Sequence, residues 1–259
     1  MDKILLFIPA YNCENQIIRV LGQLDEEIMH YITEVIVVDN RSTDNTGLVI
    51  DSFRQRHPDF PLKHLLNHEN YGLGGSHKVA FSYAIQNGFD YVIVLHGDDQ
   101  GSIEDFLPVL KRGYYRKHAC VLGARFMQGS KLTGYSAFRT FGNIVYDFLF
   151  AAVIRQRVYD LGSGLNMYRV EELKERYYEK FPDNLMFNYC MILAADYYGL
   201  DFKFYPISWR EDDQISNVKM VSQATRVLKM LYDYYRIPDR ILADYRERIV
   251  EEYGADEVE

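Results

Sequence analysis

The sequence has few cysteines and no long apolar run. Its three cysteines, Cys13, Cys120 and Cys190, lie far apart without a C-x-x-C spacing. This argues against a disulfide framework or a zinc site and fits a reducing cytoplasm. The longest apolar run, 148–154, is much shorter than the roughly 20 residues that span a membrane. Residues 1–20 lack the pattern of a signal peptide. We therefore expect a cytoplasmic protein with neither a signal peptide nor a membrane span.

An excess of positive charge is also missing. The 259 residues include 29 Lys and Arg against 37 Asp and Glu, a formal net charge of −8, which excludes a generally basic nucleic-acid-binding protein. Hydrophobic residues make up 48% of the chain and charged residues 25%, so the chain can bury a full core. We expect one large domain, or one domain plus an appendage.

Acidic residues are unevenly distributed along the chain. Seven of them lie in 243–259, which we expect to be a solvated, partly frayed helical tail. The segment 106–146, by contrast, has no acidic residue and seven basic ones, which indicates an anionic ligand nearby. A solvated helix face accounts for the four basic residues within 111–117. Arg125 and Arg139 lie outside that run and need another explanation.

Short apolar runs alternate with segments of helical spacing in the first half of the chain. The predicted strands are 3–8, 34–38, 90–95 and 119–122, and the predicted helices are 14–28, 44–56, 75–87 and 103–112. This order predicts an α/β fold with a mostly parallel, Rossmann-like sheet flanked by helices. Beyond residue 125 the alternation stops, and we expect helices near 140–156, 170–180 and 184–198 and a strand near 202–207.

In such sheets ligands bind beyond the carboxyl ends of the strands, so the residues that follow each strand form the candidate site. The first two turns, 9–14 and 39–44, are polar and open helices, an arrangement that suits a phosphate-bearing ligand. Asp39 can accept hydrogen bonds from a base or a ribose. Ordinary turn and cap chemistry is the alternative, and we favour it for Ser42 and Asp44.

The third turn, 70–78, is rich in glycine and contains Lys78. Its glycines permit close approach of a phosphate, and the lysine adds charge. The turn is not a dinucleotide-binding fingerprint, because His77 stands where that motif needs glycine, and it is not a P-loop. An ordinary tight turn is the alternative.

The fourth turn, 96–100, directly follows an apolar strand. Asp98 and Gln100 can offer oxygen ligands to a divalent ion that neutralises a leaving diphosphate. Alternatively, Asp98 or Asp99 only caps the next helix and His96 is structural. The position at the strand end favours function for Asp98 and Gln100 and a structural role for Asp99.

Together these turns resemble family 2 glycosyltransferases of the GT-A fold, and among them the polyprenyl-phosphate sugar transferases of the dolichol-phosphate mannosyltransferase type. The resemblance covers roughly residues 3–220. It rests on P-A-Y-N at 9–12, V-D-N-R-S-T-D at 38–44, N-x-G-x-G at 70–74, G-A-R at 123–125, F-R-T-F-G-N at 138–143, D-L-G-S-G at 160–164, W-R-E at 209–211 and S-N-V-K at 216–219.

The resemblance implies roles for individual residues and an organisation for the chain. The residues that would bind a UDP- or GDP-sugar donor are Pro9, Ala10, Tyr11, Asn12, Glu14, Asp39, Gly72, Gly74, Lys78, Arg210 and Lys219. Binding of the lipid-phosphate acceptor falls to Arg125, Arg139, Asn143 and Ser163. Asp98 and Gln100 would hold Mg²⁺ or Mn²⁺. Asp98, Arg125 and Arg139 would carry catalysis. The transferase domain would span 1–217, with a donor half at 1–124 and an acceptor half at 125–217, before a C-terminal helical extension and acidic tail at 218–259.

Two positions depart from the family pattern. His96 stands where the family usually has the first carboxylate of D-x-D, and Asn40 stands where it often has a second aspartate. The loss of the first carboxylate bears on metal binding. His96 is a nitrogen ligand, an outer-sphere donor or a structural residue, and we favour the last two over direct ligation.

The pattern predicts a metal-dependent, inverting transfer of a sugar to a polyprenyl phosphate. A phosphate monoester is already an anion at pH 7, so the reaction needs no general base. The segment 184–190 lacks the acidic pair that family members acting on sugar hydroxyls often have there. The first alternative is transfer to a sugar hydroxyl of a glycolipid or polysaccharide, with Asp183 as the base. The second is a nucleotide-sugar-binding module without catalysis.

A helix at 218–235 is predicted to be amphipathic. Seven residues, all apolar or aromatic except Thr225, recur at helical spacing and are accompanied by lysines and arginines; they are Val218, Val221, Thr225, Leu228, Leu231, Tyr232 and Tyr235. This pattern predicts peripheral contact with the cytoplasmic face of a membrane. A helix packed on the core or on a second subunit is the alternative.

Overall fold

The computed structural model of the chain describes residues 2–211, 220–242 and 244–259. Its strands are β1 Ile4–Ala10, β2 Glu34–Asp39, β3 Leu62–Asn67, β4 Tyr91–Leu95, β5 Cys120–Ala124, β6 Lys131–Thr133, β7 Leu165–Arg169, β8 Phe202–Pro206, β9 Ser208–Arg210 and β10 Ala255–Glu257. Its α-helices are α1 Glu14–Gly22, α2 Glu26–Met29, α3 Thr46–Arg56, α4 Gly72–Gln86, α5 Leu107–Lys111, α6 Ala137–Ile154, α7 Met186–Tyr197 and α8 Met220–Arg236. Short 3₁₀ helices occupy Ile103–Phe106, Tyr114–Lys117, Val170–Leu173, Tyr177–Lys180 and Pro238–Leu242.

Eight strands form one sheet in the order β10-β3-β2-β1-β4-β7-β5-β8. The pairs β1–β2, β1–β4, β2–β3 and β5–β8 are parallel, whereas β7 runs antiparallel to β4 and β5, and β10 runs antiparallel to β3. Strands β6 and β9 pair in parallel as a separate two-stranded sheet. The predicted fold class, a mostly parallel sheet flanked by helices, is confirmed.

The central strand β1 explains the continuous apolar runs of the sequence. All of its residues are buried, and alternate side chains enter two separate cores. Leu5 and Phe7 pack with α4 and α7 on one face, whereas Ile4 and Leu6 pack with α1 and α5 on the other. Because both faces are covered, the sequence of β1 is a continuous apolar run instead of an alternating one.

Several predicted elements were wrong in detail. Strands β3 and β7 were not predicted, and the expected helix at 170–180 is two 3₁₀ turns. The expected helix at 14–28 breaks after Gly22, and Asp25 caps α2 by accepting a hydrogen bond from the Ile28 N–H at 2.9 Å. The predicted domain boundary at 217/218 lies outside the described residues.

The acidic tail is not a frayed helix. Strand β10 pairs with β3, and flanking backbone bonds join Gly254 O to the His68 N–H at 3.0 Å and His64 O to the Val258 N–H at 2.8 Å. Without β10, β3 would be the edge of the sheet with unpaired backbone groups. The tail therefore closes this edge.

Helix α6 is unusually apolar and unusually exposed. By length and composition it is the one described helix able to cross a membrane, and only 17% of the helix is buried. Arg139 and Asp147 interrupt its apolar residues, so the sequence shows no long apolar run. Phe150 and Ile154 pack into the core, whereas the opposite face is open. The expectation that the chain has no such helix was therefore incomplete.

Helix α8 divides its apolar residues between core and solvent. Val227, Met230, Leu231 and Tyr234 are buried. Leu228, Tyr232 and Tyr235 are exposed. The predicted amphipathic pattern thus combines a face packed on the core with an exposed aromatic edge, while Val218 lies outside the described residues.

Candidate active site

The carboxyl ends of β1 and β2 meet at one edge of the sheet, and the turns that follow them are hydrogen-bonded to each other. The Asn12 N–H donates to Ser42 Oγ at 3.0 Å, and Asn12 Oδ1 accepts from the Thr43 N–H at 2.7 Å. Glu14 Oε2 accepts from the Asn45 N–H at 2.9 Å. The structure therefore brings the first two predicted turns together and uses Asn12 and Glu14 to join them.

The backbone of the first turn also contacts the fourth turn and the second. The Pro9 carbonyl accepts from the Gly97 N–H at 3.1 Å, and the Ala10 carbonyl accepts from the Asn40 N–H at 2.9 Å. A Cβ at Gly97 would lie 2.9 Å from the Pro9 oxygen, so this close approach requires glycine. The Tyr11 ring is half exposed, which leaves it open to a ligand.

Asp39 is buried at the end of β2. Its Oδ1 accepts from the Ser42 N–H at 2.7 Å, and its Oδ2 lies 3.8 Å from His64 Nε2. Burial opposes the charge of Asp39, but His64 and Ser42 outweigh burial and lower the pKa of this carboxyl. Asp39 is thereby kept as a carboxylate, the form that accepts hydrogen bonds.

The amide at position 40, one of the two departures from the family pattern, joins the second turn to the third. Asn40 Oδ1 accepts from the Tyr71 N–H at 2.8 Å and from Asn67 Nδ2 at 2.9 Å, while Asn40 Nδ2 donates to Asn70 Oδ1 at 2.9 Å. An aspartate could accept the first two bonds but could not donate the third. The asparagine therefore fits its neighbours better than a second aspartate would.

The glycines of the third turn face protein. A Cβ at Gly72 would lie 2.5 Å from the Asp183 carbonyl oxygen, and a Cβ at Gly74 would lie 2.5 Å from the Pro182 carbonyl oxygen. The Gly74 N–H donates to the Asp183 oxygen at 2.7 Å. These two glycines therefore permit the approach of 182–183, which is a different use from the phosphate contact predicted for them.

Lys78 is also placed differently from the prediction. Its ammonium is buried and donates to Asp183 Oδ1 at 2.7 Å, the Phe181 carbonyl at 2.6 Å and the Tyr253 hydroxyl at 3.0 Å. All three donor hydrogens of the ammonium are therefore used, which leaves none for a diphosphate. The prediction failed because the partner Asp183 and the tail residue Tyr253 are distant in sequence.

Asp98 has no ion-pair partner among the described residues. Its Oδ1 accepts from the Gln100 N–H at 3.3 Å, and burial, with help from the neighbouring Asp99 charge, raises the pKa of Asp98 to about 6. The described residues contain no cluster of three His, Cys, Asp or Glu able to enclose an ion. A lone carboxylate without a counter-charge suits Mg²⁺ or Mn²⁺ shared with a diphosphate, since such ions are held by one or two carboxylates plus phosphate oxygens.

His96 lies behind this edge. Its Nε2 is enclosed by protein and has no hydrogen-bond partner among the described residues, and a Cβ at Gly164 would lie 2.7 Å from its ring. Burial, together with the charge of Arg125, lowers the pKa of His96 to about 4, so the ring is neutral. An enclosed Nε2 favours the outer or structural role over direct ligation of an ion.

Asp99, which follows Asp98 in the fourth turn, has contacts that fit the expected structural role, although they are with arginines and a glutamine and do not cap a helix. Its buried carboxylate accepts from Arg19 Nε at 2.5 Å and from Gln23 Nε2 at 3.0 Å, and it pairs with Arg210. Arg210 Nε also donates to the Asp99 carbonyl at 2.8 Å. Arg210, predicted to bind the donor phosphates, therefore ties β9 to the fourth turn, and Lys219 lies outside the described residues.

Arg125 forms a buried, two-pronged ion pair. Its Nε and Nη2 donate to the two oxygens of Asp160 at 2.7 and 2.8 Å, and its backbone N–H donates to Asp160 Oδ2 at 2.9 Å. The guanidinium lies 4.9 Å from the centre of the Trp209 ring and 5.7 Å from that of Tyr135. Asp160 thus neutralises the arginine that was predicted to bind the acceptor phosphate.

Arg139 shares the Tyr135 ring with Arg125. Its guanidinium lies 4.7 Å from the ring centre, and Nη1 donates to both oxygens of Glu211 at 2.6 and 2.7 Å. Asn143 donates to the Tyr135 hydroxyl at 2.9 Å and so fixes the ring. The structure therefore brings Arg125, Arg139 and Asn143, three of the residues predicted to bind the acceptor, together around one tyrosine.

Ser163 has a local structural use. Its hydroxyl accepts from the Leu165 N–H at 3.1 Å and lies 3.2 Å from the Leu165 carbonyl. This closes the turn that leads into β7. Ser163 is buried, and its hydroxyl is occupied by its own turn, so the structure gives no support to an acceptor contact.

A comparison with protein families identifies the chain. Residues 6–176 match the model described as "Glycosyl transferase family 2". The chain belongs to this family. The protein is accordingly a glycosyltransferase, and its resemblance to polyprenyl-phosphate sugar transferases is confirmed by relatives of that kind.

Two relatives show the range of sugars within this group. An undecaprenyl-phosphate mannosyltransferase of Micrococcus luteus is 24% identical over 66% of this chain and 68% of its own length. A UDP-N-acetylglucosamine–dolichyl-phosphate N-acetylglucosaminyltransferase of Methanococcus voltae is 25% identical over 67% of this chain and 72% of its own.

Among solved structures, glucosyl-3-phosphoglycerate synthase from Mycobacterium tuberculosis, in complex with UDP, matches with a TM-score of 0.63 at 18% identity. The match covers 92% of this chain and 82% of the other. A second structure of that synthase, with Mn²⁺, UDP and glucosyl-3-phosphoglycerate, has a TM-score of 0.61 at 18% identity and covers 92% and 81%. At this identity the likeness establishes the GT-A fold of the family 2 enzyme.

Several functional partners in this glycosyltransferase could not be read from the sequence. His64, Asp160 and Glu211 hold Asp39, Arg125 and Arg139 respectively. A further buried carboxyl, Asp147 of α6, has a pKa raised to about 8 by burial and by the nearby charge of Asp160. Asp160 and Glu211 lie in the motifs D-L-G-S-G and W-R-E, but these motifs do not show which arginine each carboxylate pairs with. His64 and Asp147 lie in no motif, so only the fold reveals them.

Proposed function

We propose that this glycosyltransferase moves a sugar from a nucleotide sugar to the phosphate of a polyprenyl lipid, with inversion at the anomeric carbon. The observation that carries the proposal is the cluster of Arg125 and Arg139 around Tyr135, in a segment without acidic residues of its own. Guanidinium groups bind phosphate through paired, charge-assisted hydrogen bonds. Transfer to polyprenyl phosphates is also the activity after which several relatives are named.

The reaction requires no proton transfer to begin. An oxygen of the acceptor phosphate attacks the anomeric carbon, the bond from that carbon to the donor diphosphate breaks, and the nucleoside diphosphate leaves with the electron pair. A divalent ion held by Asp98 would offset the charge of this leaving group. Arg139 would orient the attacking phosphate together with Nη1 of Arg125, the nitrogen that does not bond to Asp160. Asp39 and the first two turns would hold the nucleoside.

The hydroxyl-acceptor alternative needs Asp183 as a base, and its contacts argue against that role. The Asp183 carboxylate accepts from Lys78 at 2.7 Å and from the Tyr253 hydroxyl at 2.8 Å, and Arg248 Nε lies 3.6 Å away. Both carboxylate oxygens therefore already contact donors of the protein, which leaves neither of them placed to take a proton from a substrate. The phosphate acceptor, which needs no base, is therefore favoured. A binding module without catalysis is not retained, because the family and the relatives are transferases.

We further propose that the protein works at a membrane surface, because its acceptor would be a lipid. The open face of α6 exposes Phe138, Phe141 and Phe148 to about 70% each, next to Arg139. Exposed aromatic and aliphatic residues beside basic ones are typical of helices that lie in the membrane interface. The face exposes five large apolar residues in all: Phe138, Phe141, Ile144, Val145 and Phe148.

We expect the protein to float with vesicles that contain anionic lipid. Burying one phenylalanine side chain contributes roughly 1.5–3 kcal/mol. Replacing Phe141 and Phe148 with serine together should therefore reduce the bound fraction by at least about tenfold. The matched control replaces Tyr232 and Tyr235, the exposed aromatic edge of α8, and should have a smaller effect. Equal flotation of the α6 variant and the unchanged protein would remove α6 from this proposal.

A donor screen tests the catalytic proposal directly. UDP- and GDP-sugars are incubated with Mg²⁺ or Mn²⁺, with and without a polyprenyl phosphate, and the release of nucleoside diphosphate is measured. We expect one donor to be consumed rapidly only when the polyprenyl phosphate is present, with the sugar recovered in the lipid fraction. Turnover that needs a glycolipid or a sugar instead would establish the hydroxyl-acceptor alternative.

A further inference from the structure

A buried histidine stands between two carboxylates behind the donor site. His64, on β3, is 3% exposed. Its Nδ1 lies 2.8 Å from Asp51 Oδ1 on α3, and its Nε2 lies 3.8 Å from Asp39 Oδ2 at the end of β2. Its Nε2 makes no hydrogen bond with the described residues. The proposed reaction gives this ring no role of its own.

The two carboxylates favour the charged form of the ring. A neutral imidazole has one N–H and one lone pair, so either tautomer turns a lone pair toward one of the carboxylates. The imidazolium has two N–H groups and presents one to each. Among the described residues, the other charged group at this position is Arg54, which is 3.5 Å from Asp51. The cluster of Asp39, His64, Asp51 and Arg54 is then balanced in charge.

We propose that His64 is a positioning residue for the donor: as an imidazolium, held by Asp51, it fixes the Asp39 carboxylate in the orientation that binds the nucleoside. This inference rests on the proposed function, because it takes Asp39 as the nucleoside contact. It adds a residue on a third strand and a dependence on pH that the strand-end turns alone do not have.

The sign of the pH dependence follows from the partners of the ring. Burial lowers the pKa of His64, but the attraction of the Asp39 and Asp51 carboxylates and the hydrogen bond to Asp51 outweigh burial and raise this pKa above its usual value. The interaction with Asp39 is present below that raised pKa and is lost as pH rises through it. Donor affinity should therefore fall with rising pH, in a range where the nucleotide diphosphate is already fully ionised.

The experiment measures the dissociation constants of UDP and GDP, with saturating Mg²⁺, between pH 7 and 9. We expect the affinity of the unchanged protein for the accepted nucleotide to fall about tenfold, because the ion pair between His64 and Asp39 is lost. His64→Gln should bind about tenfold more weakly at pH 7 and show a flat profile. Asp51→Asn should move the profile to lower pH. His118→Gln is the matched control, since His118 has a similar contact with Asp201, at 2.6 Å, away from this edge.

A second measurement uses the unchanged protein, so it does not depend on whether a variant folds. Nitrogen-15 NMR of the histidine-labelled, unchanged protein reports whether His64 carries two N–H groups, and nucleotide binding should raise its pKa, because linkage is reciprocal. A neutral ring at pH 7, or a His64→Gln profile that matches the unchanged protein, would overturn the role of His64. Failure of the proposed function is distinct: then neither nucleotide would bind, or Asp39→Asn would bind as tightly as the unchanged protein.

Discussion

Replacing Asp98 with asparagine is expected to abolish sugar transfer while leaving the protein folded. Asp98 is the carboxylate of the fourth turn that lacks an ion-pair partner among the described residues, and burial raises its pKa to about 6. An uncompensated carboxylate at this edge can bind a divalent ion, and removing it should reduce turnover about a thousandfold. Thermal stability should stay equal or rise, because a half-buried charge without an ion-pair partner among the described residues is removed.

Asp99 offers the matched control for this experiment. It is the adjacent residue with the same side chain, but its carboxylate is bound by Arg19, Gln23 and Arg210. Asp99→Asn should lower the stability of the protein by about 2 kcal/mol and should keep the requirement for Mg²⁺ or Mn²⁺. The measurements are turnover with each ion and thermal unfolding. Full activity of the unchanged protein or of Asp99→Asn in excess chelator would refute the role of a metal ion.

The elements that the sequence predicts are those whose pattern is purely local. Strands β1, β2, β4 and β5 follow continuous apolar runs, because both of their faces are buried. Strand β3 includes Lys63 and His64, so its run is interrupted. Strand β7 contains Asn166, whose side chain bonds to the Gly123 N–H and the Ser163 carbonyl. In both strands tertiary contacts decide the conformation, and a local pattern cannot show them.

In the candidate site, too, the local features could be predicted and the tertiary contacts could not. The strand-end residues could be predicted because the carboxyl ends of parallel strands meet at one edge. Their partners could not, because these are far away in sequence: 35 residues for Arg125 and Asp160, 72 for Arg139 and Glu211, and 105 for Lys78 and Asp183. A charged motif therefore indicated where a site lies but not which of its charges are already neutralised.

One short segment contacts three of the charged groups at the site. Trp209 lies against the Arg125 guanidinium, Arg210 pairs with Asp99, and Glu211 pairs with Arg139. In this conformation Glu211 accepts hydrogen bonds from the Arg139 Nη1 that could otherwise bind a phosphate. Acceptor binding should therefore require Glu211 to leave, and the Arg139–Glu211 pair should compete with the acceptor.

This competition leads to opposite effects for the two partners. Arg139→Lys should raise the KM for polyprenyl phosphate about tenfold, because lysine lacks the planar fork that bonds phosphate in pairs. Glu211→Gln should lower that KM severalfold, because it removes the competing carboxylate. Neither change should alter donor affinity or the slow hydrolysis of the donor. Arg125→Lys is expected to act in the same direction as Arg139→Lys, with a loss of stability because its pair with Asp160 is buried.

Asp183→Asn and the chemistry of the product complete this test. With a phosphate acceptor, the product is a sugar phosphodiester that mild acid cleaves, and Asp183→Asn should retain turnover, because the reaction uses no base. The variant should lose stability, since it leaves the buried Lys78 ammonium without its carboxylate. An acid-stable glycosidic product, with turnover abolished in a folded Asp183→Asn protein, would instead assign the acceptor as a hydroxyl. Arg139 and Glu211 would then be a structural pair, and both of their substitutions should leave the KM for the acceptor unchanged.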